Sequence, residues 1–481
     1  MSMIAMPQPN QSIMSRKDEI VAALVSKLPA QSVIWQEAET RAYECDALTA
    51  YHCLPLAVVL PRTTQEVSVV MEVCHSLGVP VVPRGAGTSL AGGALPTADC
   101  VILGTARLNQ VLEIDTANRF IKVQTGVTNI SVSNAVDGDG FFYAPDPSSQ
   151  LACAIAGNIA MNSGGAHCLK YGVTTNNLLG VTMVMADGEI IEIGGPYLDA
   201  GGYDLLGLIC GSEGQLGVVT EAFLKILPKA EGATPVLIGF DSAQRAGACV
   251  AEIIKSGVLP VAIEYMDRLC IKVAEEFSGA GYPDVEAMLI VEVEGSDIEI
   301  KEQLAKIIAI ANKLDPVVLR ESSSLEESAL IWKGRKSAFG AIGQISDYMC
   351  LDGTVPVSQL PFVLQKISEF SKKYNLKVAN VFHAGDGNMH PLILYDANKP
   401  GDLETAEKFG ADVLRLCVEA GGCLTGEHGV GIEKRDLMGV QYCDADMEAQ
   451  MNIKDCFDPN WLLNPAKVFP LSLSEKRRSG N

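Results

Sequence analysis

The sequence predicts an α+β protein built from more than one domain. Two observations lead to this. Residues 85–217 are rich in glycine and broken into short β-prone runs, with few helices expected. After Pro228 the order strand–helix–strand recurs, first at 235–240, 243–255 and 261–264, then at 287–293, 298–314 and 317–319. That recurrence predicts an antiparallel sheet with helices on one face, folded as a separate domain. With 481 residues, 48% of them hydrophobic and 20% charged, the chain is long enough for two or three domains.

The elements follow in order. Residues 1–15 are polar and expected to be loose, and Ser15 to Leu28 reads as a short amphipathic helix. Pro55-Leu-Ala-Val-Val-Leu60 predicts a strand. Thr63-Thr-Gln-Glu66 has capping-box spacing, so a helix should begin there, run to about His75 and stop at Gly78. Pro80-Val-Val82 is the next strand. Further on, Val378–Phe382 and Pro391–Tyr395 read as strands of a hairpin, bracketed by helices at 360–374 and 404–420. Asp458-Pro-Asn-Trp-Leu-Leu-Asn-Pro-Ala-Lys467 is turn-rich and could fold back over a ligand. The expected divisions are a helical N-terminal segment over 1–54, a glycine-rich domain over 55–228, a domain with the hairpin over 229–424, and a returning C-terminal segment over 425–481.

Composition excludes some functions. A formal net charge of -21 argues against nucleic acid, whose phosphates need a basic surface. A small anionic substrate remains compatible, because exposed charges are screened beyond about 8 Å. The 14 cysteines are scattered and include no Cys-x-x-Cys, so there is neither an iron–sulfur signature nor a zinc knuckle. Free thiols in that number fit a reducing compartment. No apolar run reaches the roughly 18 residues of a membrane span, and residues 1–15 lack the pattern of a signal peptide. The expectation is a cytoplasmic protein that would meet the inner membrane only peripherally, through partners.

The chemistry concentrates in His383-Ala-Gly-Asp-Gly-Asn-Met-His390 and in Glu427-His428, within a chain of only six histidines. A hairpin closed by the Gly-Asp-Gly-Asn turn would set His383 and His390 roughly opposite each other. Opposed residues have Cβ atoms about 4.5–5.5 Å apart, close enough to share a metal ion. Glu427 could be the third ligand, leaving a coordination position open for substrate, and His428 would stand by as a base. Zinc, manganese and iron suit such a donor set about equally. Asp386 and Asn388 are expected to shape the turn.

Val81-Val-Pro-Arg-Gly-Ala-Gly-Thr-Ser-Leu-Ala-Gly-Gly93 follows a strand, and its consecutive N–H groups could form an anion-binding nest. Leu90 stands at the third glycine position of a Rossmann fingerprint, and no Gly-Lys-Ser/Thr of a P-loop occurs. Similar small-residue segments recur at 154–165, 171–174 and 211–219. Together they suit a long, flat, polar-edged cofactor.

Arg84-Gly-Ala-Gly-Thr-Ser-Leu-Ala-Gly-Gly93, Gly157-Asn-Ile-Ala-Met-Asn-Ser-Gly-Gly165 and Gly211-Ser-Glu-Gly-Gln-Leu-Gly217 resemble the FAD-binding domain of the vanillyl-alcohol oxidase/p-cresol methylhydroxylase superfamily. The histidine motif, Gly426-Glu-His-Gly429 and Leu463-Asn-Pro-Ala-Lys467 resemble its D-2-hydroxy-acid dehydrogenase branch. Trp332-Lys-Gly-Arg-Lys-Ser-Ala-Phe339 and Asp352-Gly-Thr-Val-Pro356 are similar to the FAD subunits of bacterial glycolate oxidases within that branch. The resemblance spans residues 40–470. It implies a two-subdomain FAD-binding domain of the p-cresol methylhydroxylase (PCMH) type, followed by an α+β cap domain with an antiparallel sheet, which receives substrate.

It also implies residue roles. Arg84, Gly85, Ala86, Gly87, Thr88 and Ser89 would hold the FAD pyrophosphate. Pro145, Asp146, Asn158, Asn162, Gly164, Gly165, Gly172 and Thr174 would line the ribityl chain and ring. Glu213, Gly214 and Val219 would lie near the adenosine or ring, and Asn464 belongs to the same cofactor set. Relatives with covalent FAD often place a histidine in or near the first loop. None occurs at 84–93, so FAD is expected to be non-covalent. Arg335 would clamp a substrate carboxylate, with Phe339 one turn away on the same face. Where relatives that take dicarboxylates have polar groups, this chain has Phe339 and Cys350. It has Leu392 where relatives often carry asparagine.

The implied reaction is FAD- and metal-dependent oxidation of glycolate or D-lactate to the 2-oxo acid, with hydride passing from C2 to flavin N5 and His428 as base. The alternative is a flavin subunit active only within a complex, with an electron-acceptor or iron–sulfur partner subunit. A metal hydrolase using the histidine site without flavin is a third class, and it would be colourless.

Overall fold

The computed structural model describes residues 4–197 and 201–478. They form two compact units. One comprises 4–164, 173–229 and 427–478, and the other 165–172 and 230–426.

The first unit contains two main sheets. In the first, β1 (Val33–Ile34), β2 (Ala57–Val59), β3 (Val81–Arg84) and β4 (Val101–Gly104) lie in the order β1-β2-β4-β3, with β2 and β3 both parallel to β4. The crossover between β2 and β3 is the helix Thr64–Leu77. Its start is capped as the sequence predicts: Thr63 Oγ1 accepts from Glu66 N–H at 3.1 Å. The glutamate, however, turns to Arg62 N–H at 2.8 Å rather than to Thr63, so only half of the capping box forms. Gly78 ends the helix at φ 65°, a left-handed conformation that glycine adopts without strain.

The second sheet is antiparallel, in the order β5-β6-β10-β8-β9, from β5 (Val111–Asp115), β6 (Phe120–Gln124), β8 (Leu178–Val184), β9 (Ile190–Gly194) and β10 (Val218–Lys225). Two short strands, β7 (Phe141–Phe142) and β11 (Leu227–Pro228), pair separately. The glycine-rich stretch holds more helix than expected, at Asn129–Val136, Ile155–Met161, Cys168–Tyr171, Thr174–Asn177 and Leu205–Ile209. Small residues between Ile155 and Ile159 hide the helical period there. The tail also folds more tightly than a loose flap. Leu463 bridges Val81 in parallel, with Val81 N–H donating to Leu462 O and Asn464 N–H to Val81 O, both at 2.8 Å. Of the stretch expected to be loose, residues 1–3 lie outside the described residues, and Gln11–Met14 form a helical turn capped by Asn10. The helix expected over Ser15 to Leu28 spans Lys17–Lys27.

The other unit is built on one seven-stranded antiparallel sheet, in the order β15-β12-β14-β13-β17-β18-β16. Its strands are β12 (Gly232–Phe240), β13 (Ala262–Asp267), β14 (Ala287–Gly295), β15 (Val318–Glu321), β16 (Asp347–Cys350), β17 (Val378–His383) and β18 (Pro391–Tyr395). On one face Ile238, Tyr265, Leu289, Val291, Phe382 and Ile393 form a core with the helices Ala243–Lys255, Asp297–Asn312, Leu360–Tyr374 and Asp402–Glu419. Each large apolar side chain so buried contributes about 1.5–3 kcal/mol.

The sequence predicted helices on this face alone. The structure differs: Leu325–Gly343 covers the opposite face, where its Arg335 and Trp332 bond Glu264 and Glu292. Strand alternation explains the difference. Glu264 and Glu292 alternate with apolar neighbours and look solvent-facing, yet charged and polar groups on a second helix cover them.

Candidate active site

The hairpin forms, but in another register than predicted. Val378 pairs Ile393, Asn380 pairs Pro391, and His383 faces Asn388 rather than His390. The reason is a tight turn. Gly387, at φ 75°, donates its N–H to Ala384 O, and Asn388 N–H bonds Asp386 Oδ1 at 3.1 Å, so chain reversal is complete before Asn388. His383 and His390 are therefore diagonal neighbours on one face, and their ring centroids lie 5.2 Å apart.

Both rings are fixed from behind. His383 Nδ1 lies 2.7 Å from Glu264 Oε1, and His390 Nδ1 lies 3.2 Å from Leu351 O. A carboxylate and a carbonyl can only accept, so each Nδ1 carries a proton, and a neutral ring would then present its lone pair at Nε2. This is the tautomer a metal-binding histidine needs, with the far nitrogen anchored to oxygen. The buried pair fits a divalent cation.

Arg335 stands on the same face, in the helix Leu325–Gly343, and only 3% of it is exposed. Its Nε donates to Glu264 Oε2 at 2.7 Å, and Nη2 lies 2.5 Å from the same oxygen. Burial raises the Glu264 carboxyl, but Arg335 and His383 outweigh it and hold it below the usual carboxylate range. Phe339, one turn further along, places its ring 6.3 Å from that of His390. Cys350 and Leu392 are cross-strand partners, both buried. Next to them Asp352, fully buried, accepts from Gly426 N–H at 2.9 Å. Gly165 and Gly172 also belong to this unit.

Glu427 and His428 belong to the other unit, both half-buried. Glu427 Oε2 accepts from Gly164 N–H at 2.9 Å. In the glycine loop, no acceptor among the described residues meets the N–H groups of Gly85, Ala86, Gly87 or Thr88. A Cβ on Gly85 would lie 3.2 Å from Gly157 N. A run of unsatisfied N–H groups beside so close an approach fits an anionic diphosphate. Ser89 Oγ shapes the loop by accepting from Gly93 N–H at 3.0 Å.

Several other predicted cofactor residues are engaged with the protein itself. Arg84 Nη1 donates to Cys45 O at 2.8 Å. Asn158 accepts from Asn129 Nδ2 at 3.1 Å, Asn129 also bonding Pro145 O at 3.0 Å. Asn162 adopts φ 53° and accepts from Thr175 N–H. Thr174 Oγ1 donates to Ser163 O at 2.7 Å, and Val219 O accepts from Thr125 Oγ1 at 2.7 Å. Glu213 clasps Val430 N–H at 2.6 Å and Gly431 N–H at 2.8 Å, though burial still raises its carboxyl above the usual range. Asn464 Nδ2 donates to Gly93 O at 3.1 Å and Glu213 O at 2.6 Å, the latter just before Gly214 in the chain.

Sequence reasoning missed Glu264 altogether. Its signal was a lone carboxylate inside Val261-Ala-Ile-Glu-Tyr-Met266, an otherwise apolar strand.

Comparison with known proteins finds two family matches along the chain. Residues 55–194 match an FAD binding domain, and 229–468 match the C-terminal domain of FAD linked oxidases. The chain is 47% identical over 456 residues to the glycolate oxidase subunit GlcD of Escherichia coli (strain K12), covering 94% of this chain and 91% of that protein. The chain belongs to the FAD-linked oxidase family. A D-lactate dehydrogenase of Archaeoglobus fulgidus is 32% identical over 416 residues, covering 85% of this chain and 90% of that one. The fold matches p-cresol methylhydroxylase with substrate bound, at a TM-score of 0.81 and 16% identity, over 96% of this chain and 98% of the other. As an FAD-linked oxidase the protein is an oxidoreductase that binds FAD. No described helix is long and apolar enough to cross a membrane.

Proposed function

We propose that this FAD-linked oxidase oxidises a small D-2-hydroxy acid, glycolate or D-lactate, to the 2-oxo acid. The observation behind this is the sheet face that gathers His383, His390 and Arg335, with both histidines bonded to a buried oxygen through Nδ1. The names of the relatives, a glycolate oxidase subunit and a D-lactate dehydrogenase, support the substrate class.

In this reading Gly85 to Ser89 hold the FAD diphosphate non-covalently, and residues 229–424 act as the substrate-receiving domain. When bound, FAD supplies a two-electron acceptor whose N5 takes hydride from C2 of the acid. His383, His390 and Glu427 would hold zinc, manganese or iron, whose charge favours the substrate carboxylate and hydroxyl. His428 takes the hydroxyl proton, for which imidazole has the right affinity near neutrality. Arg335 commits its Nε to Glu264, and its other guanidinium N–H groups would meet the substrate carboxylate. Phe339, Cys350 and Leu392 offer no cationic group for a second carboxylate, which favours a monocarboxylic acid.

A second reading is favoured by the word subunit in the relative's name: the chain would work only alongside an electron-accepting or iron–sulfur subunit. An anaerobic visible spectrum tests the proposal. Glycolate or D-lactate should bleach the flavin band of the purified chain, and L-lactate should not. Bleaching without turnover on oxygen or dyes would support the partner-dependent reading. No flavin band after FAD is added, or bleaching by L-lactate alone, would sink the proposal.

A further inference from the structure

We propose that Glu264 is a positioning residue which sets two parts of the site at once, the metal-facing nitrogen of His383 and the direction of Arg335. The inference rests on the metal-site reading above and deepens it. Glu264 lies on β13 directly opposite His383 on β17, so the two side chains share a face by strand register. It is completely buried. Its two oxygens divide the work. Oε1 accepts from His383 Nδ1 at 2.7 Å, while Oε2 accepts from Arg335 Nε at 2.7 Å and lies in ion-pair contact with the Nη2 side of the guanidinium.

A buried carboxylate with a single partner would be a poor structural choice, because its desolvation is large. Here one anion receives donors from both a histidine and an arginine. That makes the imidazole tautomer and the guanidinium orientation depend on the same two oxygens. His390 Nδ1 meets the main-chain Leu351 O at 3.2 Å, with the buried Asp352 carboxylate 3.7 Å away. The two histidines therefore differ in one respect: the carboxylate beside His383 also holds Arg335.

Glu264→Gln separates positioning from packing, because it keeps the shape and exchanges one acceptor for an NH2 donor. If the NH2 faces His383, the ring must move its proton to Nε2 and lose the lone pair a metal needs. If it faces Arg335, donor meets donor and the guanidinium turns away. The expected result on the full-length flavoprotein is a 10–100-fold loss of Mn2+ or Zn2+ affinity, read by competition with a chromophoric chelator, and a raised KM. Flavin content should change little, while the unfolding midpoint of the metal-free protein should fall, because buried Arg335 loses its counter-charge. Glu264→Asp, which keeps both acceptors, should recover part of the metal affinity.

His390→Ala serves as the control for the metal site itself. If it keeps wild-type metal affinity, the metal reading fails whatever Glu264 does. If it loses metal while Glu264→Gln binds normally with unchanged KM, the positioning role is overturned and the metal reading stands. Should Glu264→Gln fail to fold, 15N-histidine NMR of the metal-free wild type decides. His383, assigned by the signal lost in His383→Ala, must show the proton on Nδ1. A proton on Nε2 instead would overturn the proposal.

Discussion

The glycine loop Arg84–Gly93 and the histidine hairpin Val378–Tyr395 offer binding groups by opposite means. The loop offers main-chain N–H groups, and the absence of side chains is what makes them reachable. The hairpin offers side chains, and their usefulness depends on buried acceptors elsewhere, Glu264 and Leu351 O. A backbone site tolerates changes of charge but not of volume. A side-chain site tolerates small changes of volume but not the loss of one acceptor.

The largest effect that would sharpen this contrast is at His428. His428→Ala should lower turnover by about 10²–10⁴-fold with flavin retained, measured by anaerobic flavin reduction. Normal reduction would remove it as the base. Arg335→Lys comes next. It keeps the charge but loses the planar fork, so KM for the acid should rise by about tenfold or more while kcat changes less. Unchanged kinetics would leave Arg335 as a purely internal partner of Glu264. On the loop side, Gly85→Val would set its Cβ against Gly157 N. FAD retention should weaken by about tenfold, equivalent to about 1.4 kcal/mol, with metal content unchanged. Equal loss of metal would break the contrast between the two regions.

The smallest effect concerns pH. Burial pushes the Asp267 carboxyl up to about 6, against N–H groups of Cys270 and Asn380 that favour its charge. Below pH 4 both folded and unfolded chains hold this proton. Between pH 4 and 6 the unfolded chain releases it first, so the group makes folding less favourable as pH rises, and the full effect is present above pH 6. Asp267→Asn removes that dependence. Relative to the variant, the wild type should lose up to about 3 kcal/mol between pH 4 and 7 in urea unfolding. Parallel stability curves would show an ordinary carboxyl.

The sequence made the hairpin unit legible because its strands are continuous apolar runs, such as 287–293, separated by long helices. The helix carrying Arg335 and Phe339 was legible, but its place on the second sheet face was not, since the strand residues beneath it are glutamates and look exposed. The site was legible where the residue type is scarce, as with two of six histidines. Glu264 was not, because glutamate is common and its partners lie 71 and 119 residues away. Composition drew attention to the glycine loop but could not foretell that Arg84 and Glu213 clasp their own chain, because the carbonyl and N–H groups they meet are distant in sequence.

The turn between the two histidines also constrains which length variants can arise. Loop tips usually accept insertions freely. Here one added residue after Asn388 would carry His390 to the other side of the sheet, and two would move it along the strand by about 6–7 Å. A neutral place for drift in most hairpins is, in this one, a spacing rule, and natural or designed variants of the protein should keep Ala384 to Met389 at constant length.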